Sequence, residues 1–156
     1  MKKLLICLTA LVVLCACNSE RGYLDYRGLP MNMSAKAMCD SFIERGFVID
    51  SALCDSGSTY VLTSDKETFR LDIHYVNDTI TDILESYEAT NNDSTSTAWQ
   101  QKRDQMEEEI CRPYMTHRAD LHKEAVFQTD KGTITLTLLN TYSPTLTVHY
   151  STEIGY

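Results

Sequence analysis

Strict alternation of apolar and polar residues constrains this chain more than any other feature. Phe69, Leu71, Ile73 and Tyr75 alternate with Thr68, Arg70, Asp72 and His74, the two-residue period of a strand with one buried and one wet face. Residues 59–63 read as the strand before it and 64–66 as the turn between them. Asn77-Asp78 turns the chain back into a third strand from 79 to 87, where the apolar parity shifts between Ile80 and Ile83 and so predicts a bulge. The pattern then returns: residues 60–73 align without a gap against 125–138, sharing an Asp-Lys-x-Thr turn, and Thr79-Ile80-Thr81 matches Thr145-Leu146-Thr147.

Helical spacing precedes each set of strands. Ala35, Met38, Cys39, Phe42 and Ile43 recur at i, i+3, i+4, i+7 and i+8, with Ser34 placed to cap the helix and Gly46 to stop it. Residues 89–97 are polar and turn-rich and read as a loop. A second helix is expected from about 96 to 110, with Trp99, Met106 and Ile110 on a narrow face and Arg112-Pro113 at its end. Trp99 reads as a plug between helix and sheet. The expected fold is α+β: two helix-plus-three-strand meander units, an internal repeat of 34–88 and 96–153, forming one antiparallel sheet with two helices on one face. Parity assigns Arg70, Asp72, His74, Thr133, Thr135, Thr137, Thr145, Thr147 and His149 to the wet face.

The first sixteen residues stand apart from that fold. Lys2-Lys3 and an apolar run over 4–14 have the layout of a cleaved export signal, too short for a membrane span. Leu14-Cys15-Ala16-Cys17 resembles the bacterial lipoprotein box, in which the Cys after a small residue is acylated. Cys17 fits it; Cys15, preceded by Leu14, does not. That resemblance implies several acyl chains on Cys17, enough for stable anchoring without spanning. Asn18, rather than Asp, implies the outer membrane of a Gram-negative cell. Residues 17–23 form a tether, and 24–156 a single domain with 23–30 as an extended lead-in.

Without Lys2 and Lys3, 12 basic residues face 22 acidic ones. No Lys/Arg cluster can follow a phosphate backbone, which excludes nucleic acid as a partner. Beyond Cys17, only Cys39, Cys54 and Cys111 remain, and three thiols allow at most one bridge, of which Cys39 to Cys54 is the pairing considered. No Cys/His spacing fits a zinc site. His117 and His122, five apart, read as lying in a loop of weak pattern and match no metal-binding helix. The run Glu107-Glu108-Glu109 sits at a helix C-terminus, where the macrodipole disfavours it unless a cation answers. No nucleophile elbow, phosphate loop or calcium loop is present, so no catalytic residue, metal or cofactor is assigned.

The segment Tyr26-Arg27-Gly28-Leu29-Pro30-Met31, followed by a capped helix ending in Glu44-Arg45-Gly46-Phe47, resembles a group of small envelope proteins of Bacteroidota-type bacteria. These open with an aromatic-basic-Gly-Ile-Pro-Ile motif; Leu29 and Met31 replace the isoleucines here. The resemblance implies location and fold and transfers no site.

The expectation for function is therefore a lipid-anchored cell-envelope protein acting as a non-catalytic binding module. Its face of Arg70, Asp72, His74, Thr135, Thr137, Thr147 and His149 would meet an envelope protein, a peptide or a glycan. The alternative is a small metal-binding protein or hydrolase using His74, His149 and Asp72, in which the imidazoles serve as ligands or general base.

Overall fold

Ser34 accepts the Ala37 N–H through its hydroxyl oxygen at 3.1 Å and opens α1 (Ala35–Glu44). At the other end Arg45 caps the helix and Gly46 takes φ +96°. The Gly46 N–H then reaches the Ile43 carbonyl and the Phe47 N–H the Phe42 carbonyl. This is the paired 6→1 and 5→2 bonding that a glycine in the left-handed region permits. The Phe47 ring packs edge-on against Phe42 at 5.3 Å, the apolar contact that locks such an ending. Ala35, Met38, Cys39 and Phe42 are buried, while Ile43, expected on the same stripe, is 41% exposed.

The computed structural model describes residues 23–88 and 91–152; the signal segment, Cys17 and most of the tether lie outside the described residues. Before α1, β1 (Asp25–Tyr26) and β2 (Leu29–Pro30) form a two-stranded ribbon, closed by Arg27 and Gly28 at φ 51° and 79°. After α1 come β3 (Val48–Ile49), β4 (Thr59–Thr63), β5 (Phe69–Val76) and β6 (Thr79–Tyr87). Then follow α2 (Asn92–Glu109), β7 (Met115–Arg118), β8 (His122–Gln128), β9 (Thr133–Leu139) and β10 (Thr145–Ser151). The eight later strands make one antiparallel sheet in the order β3-β4-β5-β6-β10-β9-β8-β7.

This corrects the expectation of two helix-plus-three-strand meander units. The chain builds a single eight-stranded ladder plus a separate ribbon, and β6 pairs with β10 from Tyr87↔Leu146 to Asp82↔Ser151, so neither half stands as its own sheet. Two strands and the ribbon escaped the sequence pattern for a physical reason. Strand β3 has two residues, and all four residues of β7 are exposed, so neither shows the in-out alternation that marks a half-buried strand. His117 and His122 accordingly stand on strands β7 and β8, not in a loop.

The second helix also starts earlier than the expected 96, within what reads as a loop. Its first turn is poor in helix formers, but Asn91 accepts the Ser94 N–H at 2.9 Å, and the Thr95 and Thr97 hydroxyls donate back to the Asn91 and Asp93 carbonyls. Caps and back-bonded hydroxyls offset the low propensity there. At its end, Arg103 at 3.2 Å and Arg112 at 3.8 Å answer Glu107.

Helix α1 packs on β5, and α2 on β9 and β10. Leu62, Phe69, Leu71, Ile73, Ile83, Phe127, Leu136, Leu138 and Val148 face them from the sheet. Each such side chain contributes about 1.5–3 kcal/mol by leaving water. Trp99 is 1% exposed, with Arg118 and Lys123 near its ring at 5.7 and 6.0 Å, so the single tryptophan is a core plug. Cys39, Cys54 and Cys111 are free thiols.

Candidate functional site

Two regions gather polar groups, one on each side of the sheet. The first is the helix-free face. Its composition follows from the bulge that the shifted parity of Ile80 and Ile83 announced: Tyr75 pairs with Ile80 and His74 with Asp82, leaving Thr81 without a partner on β5. Beyond the bulge, Asp82 lands on the same face as His74 and His149. The His149 Nε2 lies 3.1 Å and the His74 Nε2 4.0 Å from the Asp82 Oδ1, while the Thr81 hydroxyl donates to Oδ2 at 2.8 Å. On the far side of the ring, His74 Nδ1 meets the Thr59 hydroxyl at 3.0 Å.

The structure thus brings His74 and His149 to one carboxylate, and that carboxylate is Asp82. Asp72 is not the one: Arg70 holds it in a two-pronged fork at 2.9 and 2.8 Å. Thr135 pairs with His149, and Thr137 with Thr147, extending the face across β9 and β10. Sequence reasoning missed Asp82 because one bulged residue inverts every later side chain on the strand.

Thr59, His74 and Asp82 form a hydroxyl, imidazole and carboxylate in series, the order a nucleophile and its base require. Two facts oppose catalysis there. The Thr59 N–H already donates to the Asp55 carbonyl at 3.1 Å and the Val61 N–H to the Cys54 Sγ at 3.2 Å, which leaves little to stabilise an oxyanion. The His74–Asp82 separation of 4.0 Å is also too long to orient the ring by a hydrogen bond. Among the described residues, no group of three His, Cys, Asp or Glu side chains has the geometry to hold a metal ion.

The second region lies on the helical side. A cleft of about 890 Å³ opens between the β1-β2 ribbon and the C-terminal half of α2, with Glu85, Ile134 and Tyr150 of the sheet at its floor. Glu85 is 1% exposed. A buried carboxylate is tolerated only when donors surround it. Here the Tyr26 hydroxyl donates to Oε1 at 2.9 Å, the Arg27 Nε to the same oxygen at 3.2 Å, and the Tyr87 hydroxyl to Oε2 at 2.5 Å.

The surroundings shift those tyrosines. Burial first, and the nearby Glu85 charge second, hold the Tyr26, Tyr87 and Tyr150 hydroxyls protonated far above the ordinary phenol range. Arg27 reaches its place from a left-handed turn position, resting on the Phe69 ring at 4.4 Å and extending to Glu67 at 3.5 Å. Sequence reasoning passed over Glu85. The signal was present: with the bulge counted, Glu85 falls in phase with Ile83 and Tyr87 on the buried side, an acid where an apolar residue belongs.

No family model matches the chain, and no curated protein or solved structure shows significant similarity to it.

Proposed function

We propose that the protein is a lipid-anchored, non-catalytic binding module of the bacterial cell envelope, and that its helix-free sheet face docks another envelope protein. The supporting observation is the state of that face: its polar groups are held by one another rather than spread into solvent. Arg70 is forked to Asp72, Thr59 is bonded to His74, and Asp82 is shared with His149 and Thr81. Groups fixed before binding lose little entropy on docking.

The size of the face suits a protein. Six long strands at about 4.8 Å spacing and about 3.3 Å per residue give a plane of roughly 24 by 23 Å. Side-chain relief brings that near the ~800 Å² each partner contributes to a standard interface. Its composition disfavours a glycan, since the strand aromatics Tyr60, Phe69, Tyr75, Tyr87, Phe127 and Tyr150 share the register of the buried residues, and among the described strand residues the only rings on the open side are imidazoles such as those of His74 and His149. The anchor through Cys17 and the outer-membrane address rest on the lipoprotein-box resemblance.

The test is affinity capture from detergent-solubilised envelope with the full-length protein and three variants. A partner held by the parent and by the opposite-side variant Lys36→Glu, but lost with Arg70→Glu and with Thr137→Arg, supports the proposal. Retention by both face variants overturns it. Mass spectrometry of the cell-derived protein tests the anchor separately: acyl groups are expected on an N-terminal Cys17, and an unprocessed N-terminus would refute it.

A further inference from the structure

The cleft on the helical side carries an inference independent of the open face. From its shape and lining we infer that it binds a short peptide in zwitterionic form, with free amino and carboxylate termini. The volume, about 890 Å³, lies within the range of small-ligand sites. Its lining is divided between the two charges. Lys102 and Lys131 supply ammonium groups, and Asp25, Glu109 and Asp130 supply carboxylates. Among the described residues none of these five side chains is engaged in an ion pair, although Lys102 lies near the Tyr87 ring at 5.6 Å and Glu109 accepts a hydrogen bond from the Gln105 amide at 2.8 Å.

A surface with unanswered charge of both signs around one concavity selects a ligand carrying both. Phosphate esters meet repulsion from Asp25 and Asp130, and an acyl chain would strip water from the lysines without replacing it. Leu24 and Ile134 offer apolar floor for a side chain, while Tyr150, its ring edge-on to Tyr26 at 4.9 Å, also lines the cleft. Kept protonated by burial, that phenol is a donor for a peptide carbonyl. Glu85 already accepts three hydrogen bonds, so it acts as the fixed charge that positions Arg27 and the tyrosines.

The experiment uses the full-length protein in detergent micelles and amide chemical-shift mapping with three probes: trialanine, its N-acetylated and C-amidated form, and inorganic phosphate. Saturable shifts with trialanine at Gln105, Lys131 and Tyr150, at least tenfold weaker with the capped peptide, are expected. The variants Lys131→Glu and Lys102→Glu should each weaken trialanine at least threefold, with Arg70→Glu on the opposite face matching the parent. Equal binding of capped and uncapped peptide, displacement of trialanine by phosphate, or no saturable shift at millimolar peptide would each overturn the inference. None of these outcomes depends on acylation of Cys17 or on a partner at the open face.

Discussion

Replacing Glu85 with Leu removes one acceptor from three donors, and the structure sets the size of the effect. The Tyr26 residue is fully buried, and Tyr87 is half-buried with its hydroxyl bonded to Glu85. Each orphaned hydroxyl costs about 1–3 kcal/mol. The Arg27 side chain is 35% exposed and keeps Glu67, so it turns toward water at little cost. Added burial of Leu returns part of the loss, leaving a net destabilisation of about 3 kcal/mol, a large fraction of the ~5–15 kcal/mol that holds an ordinary domain. Urea unfolding followed by the fluorescence of Trp99 reads it directly. The decisive comparison is the triple variant Glu85→Leu, Tyr26→Phe, Tyr87→Phe. With donors and acceptor gone together, it should recover to within about 1 kcal/mol of the parent. A single variant costing under ~1 kcal/mol, or a triple variant no more stable than the single, would refute the view that Glu85 is retained by its donors.

Two further outcomes follow from the packing. A Cβ added at Gly132 would collide with the Ser151 backbone carbonyl, so Gly132→Ala should cost about 1–3 kcal/mol in the same urea assay and displace the β8-β9 turn from the end of β10. Burial pushes the Cys39 thiol up to about 11 and raises the Tyr26, Tyr87 and Tyr150 hydroxyls as well. Folded values above the unfolded ones give stability that is complete below about pH 9 and drains away as pH rises further. A thermal melt series from pH 7 to 11 should show falling Tm above pH 9, with iodoacetamide reaching Cys54 and Cys111 in the native protein and Cys39 only after unfolding.

The legible parts of this fold are those where burial imprints a period on the sequence. The α1 stripe with its Ser34 cap and the Phe69 to Tyr75 alternation are of that kind, and the Asn77-Asp78 turn, at φ 51° and 61°, follows from residues that tolerate a left-handed backbone. The eight-stranded ladder was not legible as such. Val48-Ile49 and Met115 to Arg118 are edge pieces whose side chains stay in water, so nothing in their order distinguishes strand from loop. The start of α2 was hidden because capping by Asn91 is decided by one side chain, not by the average propensity of the turn. On the open face, His74 and His149 were placed together by parity alone, while the carboxylate between them depended on a single extra residue in β6. The cleft depended on long-range assembly: Tyr26, Glu85 and Tyr150 come from three distant segments, and no local period brings them together.

The seam between β6 and β10 joins residues 82–87 to 146–151, the longest sequence separations in the sheet. Closing it is entropically the costliest pairing and pays back only when the last strand arrives. Until then β6 is a bare rim whose outward N–H and C=O groups have no strand to pair with. A chain in which residues 145–151 are missing or unpaired therefore exposes two interior edges, β6 and β9, each open to taking the equivalent strand from a neighbour.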